Sequence, residues 1–132
     1  MNHFQESLLS FADNVEVIQN YGQPISKRNT DAMIYSLKMS SIQAKERGDK
    51  IGATGIAGAI KLIEDTIEEG QFNSEKLSNV LGVAFVELSK ELQKGVNKVF
   101  EEQIKTCITS LIAVASLLSK DIAEESGERV SE

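Results

Sequence analysis

The chain has 132 residues, 41% apolar and 26% charged, with a net charge of −6 at pH 7 and a pI of about 4.9. That length fits one domain with a core that needs no metal or disulfide staple, and the acidic balance argues against nucleic acid and anionic membrane surfaces as partners. One cysteine, Cys107, and one histidine, His3, exclude an internal disulfide and any Cys-based zinc cluster.

The first helix is predicted over 3–19, with Phe4, Leu8, Phe11, Val15 and Ile18 at spacings of three and four. Tyr21-Gly22 stops it, and Pro24, the only proline, keeps the linker extended. A second helix is expected over 27–48, capped by Ser26 or Asn29, with Met33, Leu37, Ser40 and Ala44 along one face. The third is expected over 54–69, with Thr54 as its N-cap, a stripe of Ile56, Ile60, Ile63 and Ile67, and Gly70 as its stop. Asn73 or Ser74 caps the fourth, whose stripe is Leu77, Val80, Leu81, Ala84, Phe85, Leu88 and Leu92. The fifth begins near Asn97 and runs to about 124. Its apolar face is Phe100, Ile104, Cys107, Ile108, Leu111, Ile112, Ala115, Leu118 and Ile122.

Five such helices, no strand and short linkers predict an all-α, five-helix antiparallel bundle over residues 1–126, with a polar, disordered tail over 127–132. A four-helix bundle with a loosely attached first helix satisfies the same linker lengths. No apolar run approaches the roughly 20 residues that cross a bilayer. The opening MNHFQESLLSFADN lacks a basic start followed by an apolar stretch, so no signal peptide is visible.

The stretch "IGATGIAGAI" places Gly52, Gly55 and Gly58 every third residue. A phosphate loop needs a preceding strand and a following Lys-Ser/Thr, or G-x-G-x-x-G spacing, and neither is present. Each mid-helix glycine costs roughly 0.5–1 kcal/mol against alanine. The glycines therefore indicate close backbone approach, either to another helix of the bundle or to a second subunit.

Glu64, Asp65, Glu68 and Glu69 crowd the end of the third helix, against its dipole. They read either as a solvated acidic face or as a pH-sensitive cluster in which carboxylates raise one another's pKa. Glu101 and Glu102 stand in the first turn of the fifth helix, where acids are favourable. A carboxylate pair also suits glycosidase-like chemistry, but the chain has no Trp and two Tyr to form a sugar platform, so no enzyme is expected. The basic residues Lys27, Arg28, Lys38, Lys45 and Arg47 of the second helix lie apart from those acids in sequence. They suggest a dipolar surface suited to pairing, or ordinary scatter of surface charge. Cys107 reads as a small buried hydrophobe, with an intersubunit disulfide as the lesser alternative.

The order and punctuation of these helices resemble the N-terminal domain of spider silk proteins. Phe11, Gly22 and "TDAM" (Asp31, Met33) match the first turn and second helix; "GDKIGAT" matches the glycine-rich entry to the third; Glu68 or Glu69 matches its acidic end. "GVNKVFEEQI" and "SLIAVAS" match the fifth. The family's Trp in helix one has no counterpart beyond Phe4. Its helix-three lysine would fall near Thr54 or Gly55, with Lys50 and Lys61 the nearest lysines. Its helix-five glutamate aligns with Gln103, leaving Glu102 to serve.

The resemblance implies a secreted module that keeps a silk protein soluble and forms an antiparallel homodimer when pH and salt fall, through helices two, three and five. In that arrangement Asp31 is an intersubunit charge partner, and Glu68, Glu69 and Glu102 take up protons. The expected interface or pH relay is Asp31, Met33, Lys50, Gly55, Gly58, Lys61, Glu64, Glu68, Glu69, Glu101 and Glu102, with no cofactor and no metal. The bare start of helix three lets the partner approach. The competing expectation is a small helical protein-binding module, of adaptor or immunity type, using the same glycine-rich face.

Overall fold

The computed structural model describes residues 3–130, with side chains described for Glu6 and residues 9–125. The expected contributions of His3, Phe4 and Leu8 lie outside the described side chains. The helices are α1 (His3–Tyr21), α2 (Lys27–Glu46), α3 (Lys50–Glu64), α4 (Ser74–Gln93) and α5 (Lys98–Val130). Between α3 and α4 stands a two-stranded hairpin of β1 (Ile67–Glu68) and β2 (Gln71–Phe72). The chain is an all-α bundle as expected, with this hairpin as a departure.

Short polar side chains set the helix starts. Ser26 Oγ accepts from Asn29 N at 3.1 Å, Asn73 Oδ1 from Lys76 N at 3.0 Å, and Asn97 Oδ1 from Phe100 N at 2.9 Å. For α3 the cap is Asp49, whose Oδ1 accepts from Gly52 N at 2.9 Å, and not Thr54. Thr54 instead turns its hydroxyl back to the Lys50 carbonyl at 2.9 Å. The glycine-rich stretch is therefore helix interior and not its entry.

The predicted end of α3 is also corrected. The helix closes at Glu64, and Thr66 folds over, its hydroxyl donating to the Ile63 carbonyl at 2.7 Å. Glu69 (φ 53) and Gly70 (φ 81) then form a two-residue turn with both residues left-handed, the geometry that matches strand twist in a tight hairpin. Ile67 and Phe72 face each other across the hairpin. The amide and carbonyl of Phe72 bind the first turn of α2 and the linker before it: Phe72 N donates to Thr30 Oγ1 at 3.1 Å, and Ile25 N donates to Phe72 O at 2.9 Å. Phe72 is fully buried.

α5 is the central helix. It packs on α1, α3 and α4, and buries Ile104, Cys107, Leu111, Val114, Ala115, Leu118 and Ile122. Its residues Lys98–Glu125 are long and apolar enough to cross a membrane by length and composition, contrary to the sequence expectation, but this apolar face is the core of the bundle. Phe100, expected on the same stripe, is exposed. The helix also continues through 127–130, where a polar tail was expected. α1 packs on α4 and α5 through Phe11 and Ile18, so it is an integral layer and not a loose appendage. Phe11 stacks on Phe85 with ring centroids 4.8 Å apart. On α2 the buried serine is Ser41, which donates to the Ala53 carbonyl at 3.3 Å, while Ser40 faces solvent.

Candidate functional site

The glycine-rich face of α3 is occupied from within the chain. At Gly55 a Cβ would stand 2.7 Å from the Gln103 carbonyl oxygen and 2.8 Å from Thr106 Cβ, both on α5. Gly52 and Gly55 are buried. At Gly55, close approach inside the bundle is the alternative found, while at Gly52 the near neighbour is the side chain of its own cap, Asp49. Gly55 is thus removed from an accessible interface, because a partner would have to displace α5 to reach it. Gly58 is exposed, and a Cβ there would stand 3.9 Å from Cys107 Sγ, an ordinary contact that does not demand glycine. Cys107 is buried, which pushes its thiol pKa up.

The predicted charged residues do not converge on one site. Asp31 is exposed and paired along its own helix with Lys27 at 2.9 Å. Met33 is buried in the core and unavailable to a partner. Lys50 and Lys61 are exposed on α3. Glu101 and Glu102 stand 3.3 and 4.0 Å from Lys105, one turn on. Glu64 lies 3.9 Å from Lys38 of α2. That cross-helix pair, with Arg47 and Asp49 at 3.8 Å, interleaves the two signs of charge where a dipolar surface was an expectation.

The acidic end of α3 also differs from the expected cluster. The hairpin separates its members, Glu69 occupying the turn. Glu68 pairs with Lys76 of α4, whose hydrogen bond and charge lower the carboxyl pKa below its ordinary range. Glu68 is thus held ionised, the opposite of a proton acceptor tuned for mild acid. Asp121, not singled out from sequence, moves the other way: partial burial, then the charge of Glu124, raises its pKa.

Among the described residues, an apolar face stands uncovered on α4. Its inner side buries Leu77 and Leu81, but further along Ala84, Leu88 and Leu92 are only half-buried. On its outer side Val83 is 60% and Val86 48% exposed. A groove of about 490 Å³ runs beside Val83, lined by Leu62 of α3 and by Val80, Ala84 and Leu88. On the other flank Ser78, Gly82 and Val86 line a second depression of about 440 Å³. Apolar side chains also stand in solvent on other helices: Tyr35 and Ile42 on α2, with Met39 half-buried beside them, Leu9 on α1, and Val99, Phe100 and Leu117 on α5.

Sequence reasoning missed the α4 face because Val83 and Val86 lie off the inner stripe. The available signal was angular: two valines and a glycine fall where a bundle helix is ordinarily polar. Compared with family models, with curated proteins and with solved structures, the chain matches none.

Proposed function

We propose that this chain is a helical interaction module whose main partner is a second copy of itself, with association favoured at mildly acidic pH. The observation that carries the reading is the apolar outer face of α4, with Val83 and Val86 in solvent beside an apolar groove. An uncovered apolar surface next to a groove is the usual mark of a protein-binding site. The reading moves the contact from the glycine-rich face of α3, which α5 occupies, to α4.

The pH dependence follows from charge. Two copies of net charge −6 repel each other near neutrality, and the repulsion fades as pH falls toward the pI of about 4.9. The sequence resemblance to silk N-terminal domains supports the same proposal and supplies a context: storage as a soluble monomer, and linkage of chains on acidification.

Light scattering after size exclusion tests the reading. The expected mass is 14.5 kDa at pH about 7.5 and twice that at pH about 5.5. A monomer at both values would overturn it. A groove of this size and apolar lining also suits one face of an amphipathic helix from another protein. That second reading predicts a monomer at both pH values.

A further inference from the structure

We infer that the self-association surface is the outer face of α4, paired antiparallel with the α4 of a second copy about an axis between Gly82 and Val83; this rests on the self-association proposed above. At 100° per residue, positions 75, 79, 82, 83, 86 and 90 fall within about 50° of one line along the helix. All are exposed except Gly82, which is half-exposed. The face is thus Glu75, Asn79, Gly82, Val83, Val86 and Lys90.

A second copy fits this face better than an unrelated helix because the face is complementary to itself when reversed. An axis between Gly82 and Val83 sets Gly82 opposite Val83, Asn79 opposite Val86 and Glu75 opposite Lys90. Each pair occurs twice, as an isologous contact requires. The two Glu75–Lys90 pairs flank an apolar centre, so charge complementarity selects the antiparallel orientation. A parallel pairing would place Glu75 against Glu75 and Lys90 against Lys90.

Gly82 supplies the independent reason. It is mid-helix, and beyond its own stretch of helix nothing among the described residues lies within 4 Å of the place a Cβ would occupy. Unlike Gly55, it answers to no internal contact. A glycine there lowers helix stability within the monomer, and it leaves a notch into which the partner's Val83 fits. The seam from Glu75 to Lys90 spans roughly 22 Å of helix.

The experiment measures the dimer Kd of the full chain by sedimentation equilibrium at pH about 5.5. Glu75→Lys alone and Lys90→Glu alone should each raise Kd by roughly tenfold, since each reverses two ion pairs. The double swap should restore Kd to within about threefold of wild type, a rescue that misfolding does not mimic. Gly82→Leu should raise Kd at least about tenfold while making the monomer more resistant to urea, because it fills the notch yet improves the helix. Tyr35→Ser with Ile42→Ser, on α2, should leave Kd unchanged. If the wild type dimerises but the α4 variants dimerise equally well, or the α2 pair alone abolishes dimerisation, this surface is wrong and self-association stands. If the wild type remains a monomer, both fall together.

Discussion

At Gly55 an added methyl group meets backbone and a branched side chain, the Gln103 carbonyl and Thr106. Neither swings away, so α3 and α5 must separate. Overpacking of this kind costs about 1–3 kcal/mol, against a helix-propensity gain of roughly 0.5–1 kcal/mol. Gly55→Ala is expected to destabilise the fold by about 1–2 kcal/mol net. At Gly82 the same methyl meets open space, so Gly82→Ala should stabilise by roughly 0.5–1 kcal/mol. Urea midpoints at pH 7.5, where the chain is expected to be monomeric, check the pair. Equal signs for the two variants would contradict the packing described for either glycine.

Among the elements, the hairpin holds α2, α3 and α4 in register through Thr30. Its hydroxyl donates to the Ser26 carbonyl at 3.0 Å and accepts from Phe72 N, the latter bond fully buried. Thr30→Val keeps the shape but strands the Phe72 amide, at a cost of about 1–3 kcal/mol. Thr30→Ser retains the oxygen and should cost less. The turn supplies an opposite change: Glu69 is held at φ 53, where Asn is better tolerated than Glu, so Glu69→Asn should stabilise by roughly 0.5–1 kcal/mol. Thermal melts of the three variants should rank Glu69→Asn above wild type, wild type above Thr30→Ser, and Thr30→Val lowest. What was legible in the sequence follows from the same physics. The five helices were readable, with Ser26 and Asn73 each one of two cap candidates and Asn97 marking the start of the fifth helix, because apolar spacing and short polar acceptors act locally. The hairpin was hidden because Ile63 and Ile67 keep a four-residue spacing through the break, and Glu-Gly is a weaker turn signal than Asn-Gly. The start of α3 was misplaced because its glycines mimic a loop, whereas Asp49 had already capped it. Which alternative the glycines served was not legible at all, since it depends on Gln103 and Thr106, some fifty residues away.

Across the whole molecule, two carboxyls pull stability in opposite directions with pH. Glu68 is lowered by Lys76, so its ionised form is favoured in the fold. Its contribution is complete above the ordinary carboxyl pKa and is lost as pH falls through the lowered folded value. Asp121 is raised by burial and by Glu124. Its contribution is present below its unfolded pKa and is lost as pH rises through the raised folded value. At neutral pH, therefore, Glu68 supports the fold and Asp121 opposes it. Glu68→Gln should lower the urea midpoint at pH 7 and have little effect near pH 3. Asp121→Asn should raise the midpoint at pH 7, by under about 1 kcal/mol because solvent screens a partly exposed group, and also lose its effect near pH 3. Each variant removes one negative charge and neither residue lies on the outer face of α4, so both should move the pH at which two copies associate slightly and by a similar amount. A clearly larger shift for Glu68→Gln than for Asp121→Asn would return the acidic end of α3 to the association surface and count against α4.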